Sequence, residues 1–301
     1  MVRLKTLLKL TRPAEWVKNG FVLAPLIFSG SLRNGEAVRN AFLAMAALCF
    51  ISSSIYIMND LLDIEYDKQH PVKRFRPLAS GLVSPSSAAV LMLLLIVAGF
   101  CVLVFSQISP LGWWFVAAYL LLNAAYSLYL KKKVIIDVLT ISFGFVLRVL
   151  IGSEAISVKV THWLILCTFL LATFLGFSKR RHELTVLGPG GRRHRPVLTF
   201  YTTEFLDRMS MLTLAMTLTC YILYTIAPET ISRFKTDTLV YSSLIVVFAL
   251  FRFLFLIHIK KMGSPTEIIY YDRQILLAIL VWIIYVMFVI YTWPSVRPHL
   301  P

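Results

Sequence analysis

The chain has 301 residues, of which 58% are hydrophobic and only 15% charged, with a formal net charge of +15. That balance leaves no stretch long enough for a sizeable soluble domain. The positive charge alone would suit nucleic acid, but it falls between apolar runs, where membrane topology and anionic lipid account for it and no nucleic-acid partner is expected.

The first residues are basic and leucine-rich, and Arg3, Lys5, Lys9 and Arg12 break up any early apolar region. No cleavable signal peptide is read there; the segment is expected to lie on the membrane surface. Nine apolar runs follow, at 17–30, 37–58, 87–107, 111–130, 135–153, 162–178, 209–228, 237–257 and 273–292. The first is short and contains Pro25. Each must satisfy its own backbone hydrogen bonds in lipid, which makes the runs helices. A β-barrel would instead show alternating segments of about ten residues. The expected fold is all-α and integral to the membrane: one polytopic domain over residues 1–301.

Of 30 Lys and Arg, 22 fall at the N-terminus and in the loops after the second, fourth, sixth and eighth runs, against six on the other side. The N-terminus and these loops are therefore expected on the cytoplasmic face. The loop after the sixth run reads SKRRHELTVLGPGGRRHRP, and Arg192, Arg193 and Arg195 in it read as surface charges. The loop after the eighth holds Ser264 and Glu267 at capping-box spacing around Pro265, so a helix is expected to begin there. Cys49, Cys101, Cys167 and Cys220 are scattered through apolar runs without metal-type spacing.

The polar chemistry concentrates after the second run, in NDLLDIEYDKQHPVKRFRPLASG, residues 59–81. Asn59, Asp63 and Asp67 are four apart and Asp60 lies three before Asp63, so on a helix all four share one face. Hard oxygen donors of this kind suit Mg²⁺, which is held by carboxylates together with substrate phosphates. Lys73, Arg74 and Arg76 just downstream suit the phosphate charge that the metal leaves unneutralised. Lys131, Lys132 and Lys133 serve either as a positive-inside anchor or as phosphate ligands. Asp137 is either a site residue or a partner of a nearby lysine. Arg148 lies eleven residues on, about 16 Å along the helix axis, and an intramembrane arginine this deep faces a cavity or makes a structural pair. Arg252 is nearer a helix end and is expected to snorkel. Asn123 and Tyr126 either pack the bundle or line the site.

Nine helices, the NDxxDxxxD pattern of Asn59, Asp60, Asp63 and Asp67, and RPLASG at Arg76–Gly81 resemble the UbiA superfamily of intramembrane prenyltransferases. Typical members carry a second Asp-rich motif after the sixth helix; here that place holds Lys179, Arg180, Arg181, His182 and Glu183. KRFRPLASG, IDVLTISFGFVLR, KRRHEL and SPTEIIYYDR resemble one branch, the decaprenyl-phosphate phosphoribosyltransferases. The resemblance implies transfer of phosphoribose from 5-phosphoribosyl 1-diphosphate to a polyprenyl phosphate, with Mg²⁺ on the aspartates. It also implies that Lys179, Arg180 and Glu183 belong to the substrate site. The donor carries roughly five negative charges, which dense Lys and Arg would balance. A prenyl diphosphate:acceptor transferase would need fewer cations, and a lipid transporter would need a matching polar set on the outer side. The site is expected to form one cytoplasm-open chamber with a lateral gap for the lipid and Arg148 at its deep end; a homo-oligomer is compatible with all of this.

Overall fold

A computed structural model describes residues 4–69, 72–187, 196–259, 268 and 271–292, and over these the chain is helical without a strand. Among the described residues, eight helices are long and apolar enough to cross a membrane. The capping box at Ser264 and Glu267, and Arg192, Arg193 and Arg195, lie outside the described residues.

By internal contacts the chain divides into two compact units: residues 1–140, 147–159 and 192–196 in one, and 141–146, 160–191 and 197–301 in the other. The first unit contains α1 (Leu4–Thr11), a 3₁₀ helix (Pro13–Leu23), α2 (Ala24–Phe28), α3 (Gly35–Leu62), α4 (Ile64–Gln69), α5 (Pro85–Phe105) and α6 (Pro110–Leu128), together with most of α7 (Ile136–Ala155). Local signals set these boundaries. Asn34 caps α3 by accepting from the amides of Glu36 and Ala37. Ser84–Pro85 and Ser109–Pro110 open α5 and α6 in the same way, a serine cap followed by a proline with no amide to lose. Along α3, Ala44, Ala47, Leu48, Ile51 and Ile55 recur at helical spacing and form the core with Leu103, Val116, Tyr119 and Ile151.

The apolar run at 17–30 does not form a spanning α-helix. It is an 11-residue 3₁₀ helix running into the five residues of α2. At about 2.0 Å per residue for the first and 1.5 Å for the second, the summed rise is about 30 Å, comparable to the hydrocarbon thickness of a bilayer. Its narrow form admits a close crossing: a Cβ built on Gly152 of α7 would stand 2.0 Å from the carbonyl oxygen of Val22.

The second unit contains α8 (His162–Leu187), α9 (Thr203–Ile226), α10 (Pro228–Phe234), α11 (Ser242–His258) and α12 (Arg273–Tyr291). Its core joins Phe174, Leu214, Leu250, Phe253, Leu256 and Ile275, with the rings of Phe174 and Phe253 edge to face at 5.4 Å. The expected loop at Lys179–Glu183 is instead the end of α8, which continues to Leu187. Nothing between Ser178 and Leu187 opposes helix; Gly188 and Pro189 are the first breakers.

Gly152→Ala should displace the 3₁₀ helix or α7, at about 1–3 kcal/mol of overpacking. Thermal unfolding in detergent reads it, and an unchanged midpoint would show that the backbones do not meet this closely.

Candidate active site

The Asp-rich segment straddles a helix break. Asn59 and Asp60 sit in the last turn of α3, which ends at Asp63 with φ −103° and ψ 11°. The four-residue ladder nevertheless continues: Asp63 donates its amide to the Asn59 carbonyl at 3.0 Å, and Asp67 donates to the Asp63 carbonyl at 2.8 Å. The shared face expected of one continuous helix thus survives across α3 and α4. Asp60 and Asp67 are buried at 3% exposure, while the Asp63 side chain is one-third exposed.

Each carboxylate meets a cation. Arg76 Nη1 donates to Asp60 Oδ1 at 3.0 Å and to Asp67 Oδ2 at 2.6 Å. RPLASG explains how. Pro77 favours extended backbone at Arg76, found at φ −65° and ψ 146°. Leu78 is buried with Leu10, Ile57, Val83 and Ala88. Gly81 closes the turn at φ +75°, a conformation strained for other residues. Arg76 is thereby held under the two aspartates by a buried leucine two residues later.

Lys131 supplies the second cation. From the short turn Leu130–Lys132 its Nζ lies 2.9 and 3.0 Å from the two carboxylate oxygens of Asp63. Lys133 turns instead over the Tyr129 ring at 4.8 Å. The chain then makes a tight turn, with the Ile136 amide on the Val134 carbonyl at 2.7 Å and Ile135 at φ +67°. Positive φ in a β-branched residue is strained, and it aims Asp137 into the interior at 0% exposure.

Arg12 is the third cation, and sequence reasoning placed it only on the membrane surface. Its Nη2 bonds Asp60 Oδ1, and its guanidinium lies 5.2 Å from the centre of the Tyr56 ring. The signal was available only in part, since a basic residue before Pro13 is unremarkable until the fold brings it 48 residues along the chain to Asp60. Among the other expected ligands, Asn59, Lys73 and Tyr126 are half-buried, and Arg74 is exposed and stacked on Phe75 at 4.8 Å. Asn123 donates to its own helix, at the Tyr119 carbonyl.

Arg148 is 7% exposed and turns into the first unit. It donates to Asn19 Oδ1 at 2.9 Å and to the Tyr119 hydroxyl at 2.8 Å, with its guanidinium 4.9 Å from that ring's centre. Asn19 in turn donates to Ser52 at 3.1 Å. These uncharged partners have no sequence signature.

In the second unit, Arg180 is 1% exposed and donates to Glu183 at 2.8 Å, one turn on. Lys179 is half-buried. Arg181 bonds Asp207, which lies 3.1 Å from His258 Nε2, while His258 Nδ1 is 3.0 Å from the Leu254 carbonyl. Arg252 makes a two-pronged pair with Asp272 at 2.7 and 3.3 Å. That pair, with the Ile275 amide, holds the Asp272 carboxyl below its ordinary value.

The donor set fits Mg²⁺ of one kind only. Among the described residues no three acidic, His or Cys side chains close on one point, so a protein cage is absent there. Asp60 and Asp67 do converge on a single Arg76 nitrogen. Two hard carboxylates are the donor type by which Mg²⁺ is bound together with the phosphates of a substrate.

The profile of the UbiA prenyltransferase family matches residues 22–267. The decaprenyl-phosphate phosphoribosyltransferase of Mycolicibacterium smegmatis is 30% identical over 294 residues, covering 92% of this chain and 90% of that protein. That of Mycobacterium tuberculosis H37Rv is 28% identical over 282 residues, 91% of each. The solved structure of a UbiA homolog from Archaeoglobus fulgidus bound to DMAPP and Mg²⁺ superposes with a TM-score of 0.71 at 18% identity, over 95% of this chain and 99% of that one.

Two outcomes test this geometry. Arg76→Met leaves two buried carboxylates without their shared cation and should destabilise by about 3 kcal/mol, partly recovered by adding Asp67→Asn; chemical denaturation of the pair of variants measures it. The folded state holds the lower pKa at Asp272, so its contribution is full above about pH 4 and is lost as pH falls through the depressed value. The difference in thermal midpoint between wild type and Asp272→Asn should therefore shrink on acidification.

Proposed function

The chain belongs to the UbiA prenyltransferase family and is a multi-pass membrane transferase, and from that premise we propose that it transfers phosphoribose from 5-phosphoribosyl 1-diphosphate to a polyprenyl phosphate of decaprenyl type, releasing diphosphate. The observation that carries the reading is the Asp60–Asp63–Asp67 cluster with Arg76 and Lys131 already on it. A diphosphate leaving group needs both a metal on acids and counter-charge from bases, and this cluster offers both. The names of the two phosphoribosyltransferase relatives, each matched over about nine-tenths of its length, support the choice of donor and acceptor.

In this reading Asp60, Asp63 and Asp67 hold Mg²⁺, which when bound supplies Lewis-acid charge to the departing diphosphate. Asn59, Lys73, Arg74, Arg76 and Lys131 receive the phosphate oxygens of the donor. Lys179 and Arg180, the latter bonded to Glu183 on α8, serve the donor as well, in the place where typical family members carry a second acidic motif. Tyr126, Asp137 and Arg148 are assigned to the lining. The attacking phosphate of the lipid is ionised at neutral pH, so no general base is required, and C1 of the ribose passes through an oxocarbenium-like state as its bond to diphosphate breaks. The enzyme is placed in a bacterial cytoplasmic membrane with its N-terminus and charged helix ends on the cytoplasmic side, where a soluble donor is available.

Purified protein with Mg²⁺, polyprenyl phosphate and labelled phosphoribosyl diphosphate should move label into a lipid extract. EDTA should abolish the transfer, and Asp63→Asn should lower it about 100-fold in a folded protein; label that stays in the aqueous phase with wild type would refute the reaction. Neutralising Lys179 or Arg180 should raise the KM for the donor about tenfold, more than that for the lipid. The reverse pattern would exchange the two substrates' ligands.

A further inference from the structure

The charges of the cluster balance among the described residues. Asp60, Asp63 and Asp67 face Arg12, Arg76 and Lys131, three negative charges against three positive. A divalent ion entering such a cluster displaces a cation already bonded to the same oxygens. The displaced cation then needs another anion, because an arginine left half-buried without one is costly.

Arg12 is built to be the cation that moves. Its backbone is fixed on both sides. Leu10 is fully buried, the Thr11 carbonyl accepts from Ser53 at 2.8 Å, and Trp16 donates to that same Ser53 hydroxyl at 3.0 Å. Between these pins Arg12 sits at φ +49° and ψ +61°, a left-handed conformation that costs a non-glycine residue energy and recurs at functional sites. The side chain, by contrast, lies over the Tyr56 ring and reaches a single carboxylate. Among the described residues its one hydrogen-bond acceptor is Asp60, and 26% of it is exposed. Arg76 differs in spanning two carboxylates at once. A guanidinium carries five donors in a fork suited to phosphate.

We propose that Arg12 is an exchange ligand of the diphosphate site: it occupies Asp60 while the site is empty, and passes to a diphosphate oxygen when a divalent ion takes that carboxylate. The inference rests on the metal–diphosphate reading of the cluster given above. It adds a consequence that reading does not contain. Metal and Arg12 compete for Asp60, and diphosphate removes the competitor, so metal and diphosphate each tighten the other by the same factor. Metal alone binds weakly; the two together bind well.

The test uses the full-length protein in detergent with Mn²⁺ followed by electron paramagnetic resonance, with and without inorganic diphosphate, and a thermal midpoint for each variant. In wild type, diphosphate should tighten Mn²⁺ at least tenfold beyond its chelation in solution. Arg12→Gln should bind Mn²⁺ alone several-fold more tightly, because its rival is gone, and should lose most of the enhancement by diphosphate. A purely structural ion pair would lower the midpoint and leave the enhancement intact, which overturns the proposal. Arg12→Lys keeps the charge without the fork and should show a reduced enhancement at a near-normal midpoint; if Arg12→Gln does not fold, an undiminished enhancement in Arg12→Lys is the overturning result. A third arm replaces diphosphate by a short-chain polyprenyl monophosphate. An Arg12-dependent enhancement there, and none with diphosphate, would overturn the assignment to the donor. Wild type that binds no Mn²⁺ under any condition overturns the site reading and this proposal together. Enhancement lost in Asp63→Asn but undiminished in Arg12→Gln removes only the exchange role.

Discussion

Three carboxylates at the end of a membrane-length helix have to be neutralised, and the first unit is arranged around the way this is done. Arg76 is the centre of it, because one of its nitrogens serves both Asp60 and Asp67 across the break between α3 and α4. Holding that nitrogen in place requires Pro77 for the extended backbone, Leu78 for the anchor, and Gly81 for the return of the chain. The same Leu78 pocket takes Leu10 from α1, so the segment that brings Arg12 to Asp60 is seated by the segment that brings Arg76 there. Packing and electrostatics are therefore one arrangement. A change to the apolar pocket is felt at the carboxylates, and the reverse holds as well.

The second unit deals with its charges differently. Lys179, Arg180, Arg181 and His182 are consecutive, but on α8 successive residues point about 100° apart. Arg180 is buried on Glu183, while Arg181 goes to Asp207 and so joins α8, α9 and, through His258, α11. The run is thus shared out between tying helices together and presenting charge. Its cation content in the sequence overstates what any one ligand would meet.

Much of this was legible in the sequence, and the limits have physical causes. Apolar length gave the spanning helices, since lipid permits little else. Spacing gave the Asn59–Asp67 stripe, which held even though the helix breaks at Asp63, because the hydrogen-bond ladder steps over the break. The first apolar run is helical but largely of 3₁₀ form, which hydropathy does not reveal because it does not distinguish i→i+3 from i→i+4 hydrogen bonding. The loop expected at Lys179–Glu183 was misjudged because charge was taken as a boundary, when only Gly188 and Pro189 oppose helix. Arg12, Asn19 and Tyr119 were illegible for a common reason: each matters through a partner far along the chain, and a single sequence holds no record of that pairing.

Those separations also set an order of assembly during synthesis. Arg12 and Leu10 leave the ribosome first, yet Asp60 comes 48 residues later, and the Leu10 pocket is not complete until Leu78, Val83 and Ala88 have followed. Lys131 trails Asp63 by 68 residues, and Arg148 trails Asn19 by 129. Asn19 thus waits longest of these groups for its full set of partners. Until α7 is inserted, the partners of Asn19 among the described residues are Ser52 and Cys49 of α3. Insertion of α7, the fourth of the eight spanning helices among the described residues, brings Arg148 to Asn19 and Tyr119 and completes this polar network.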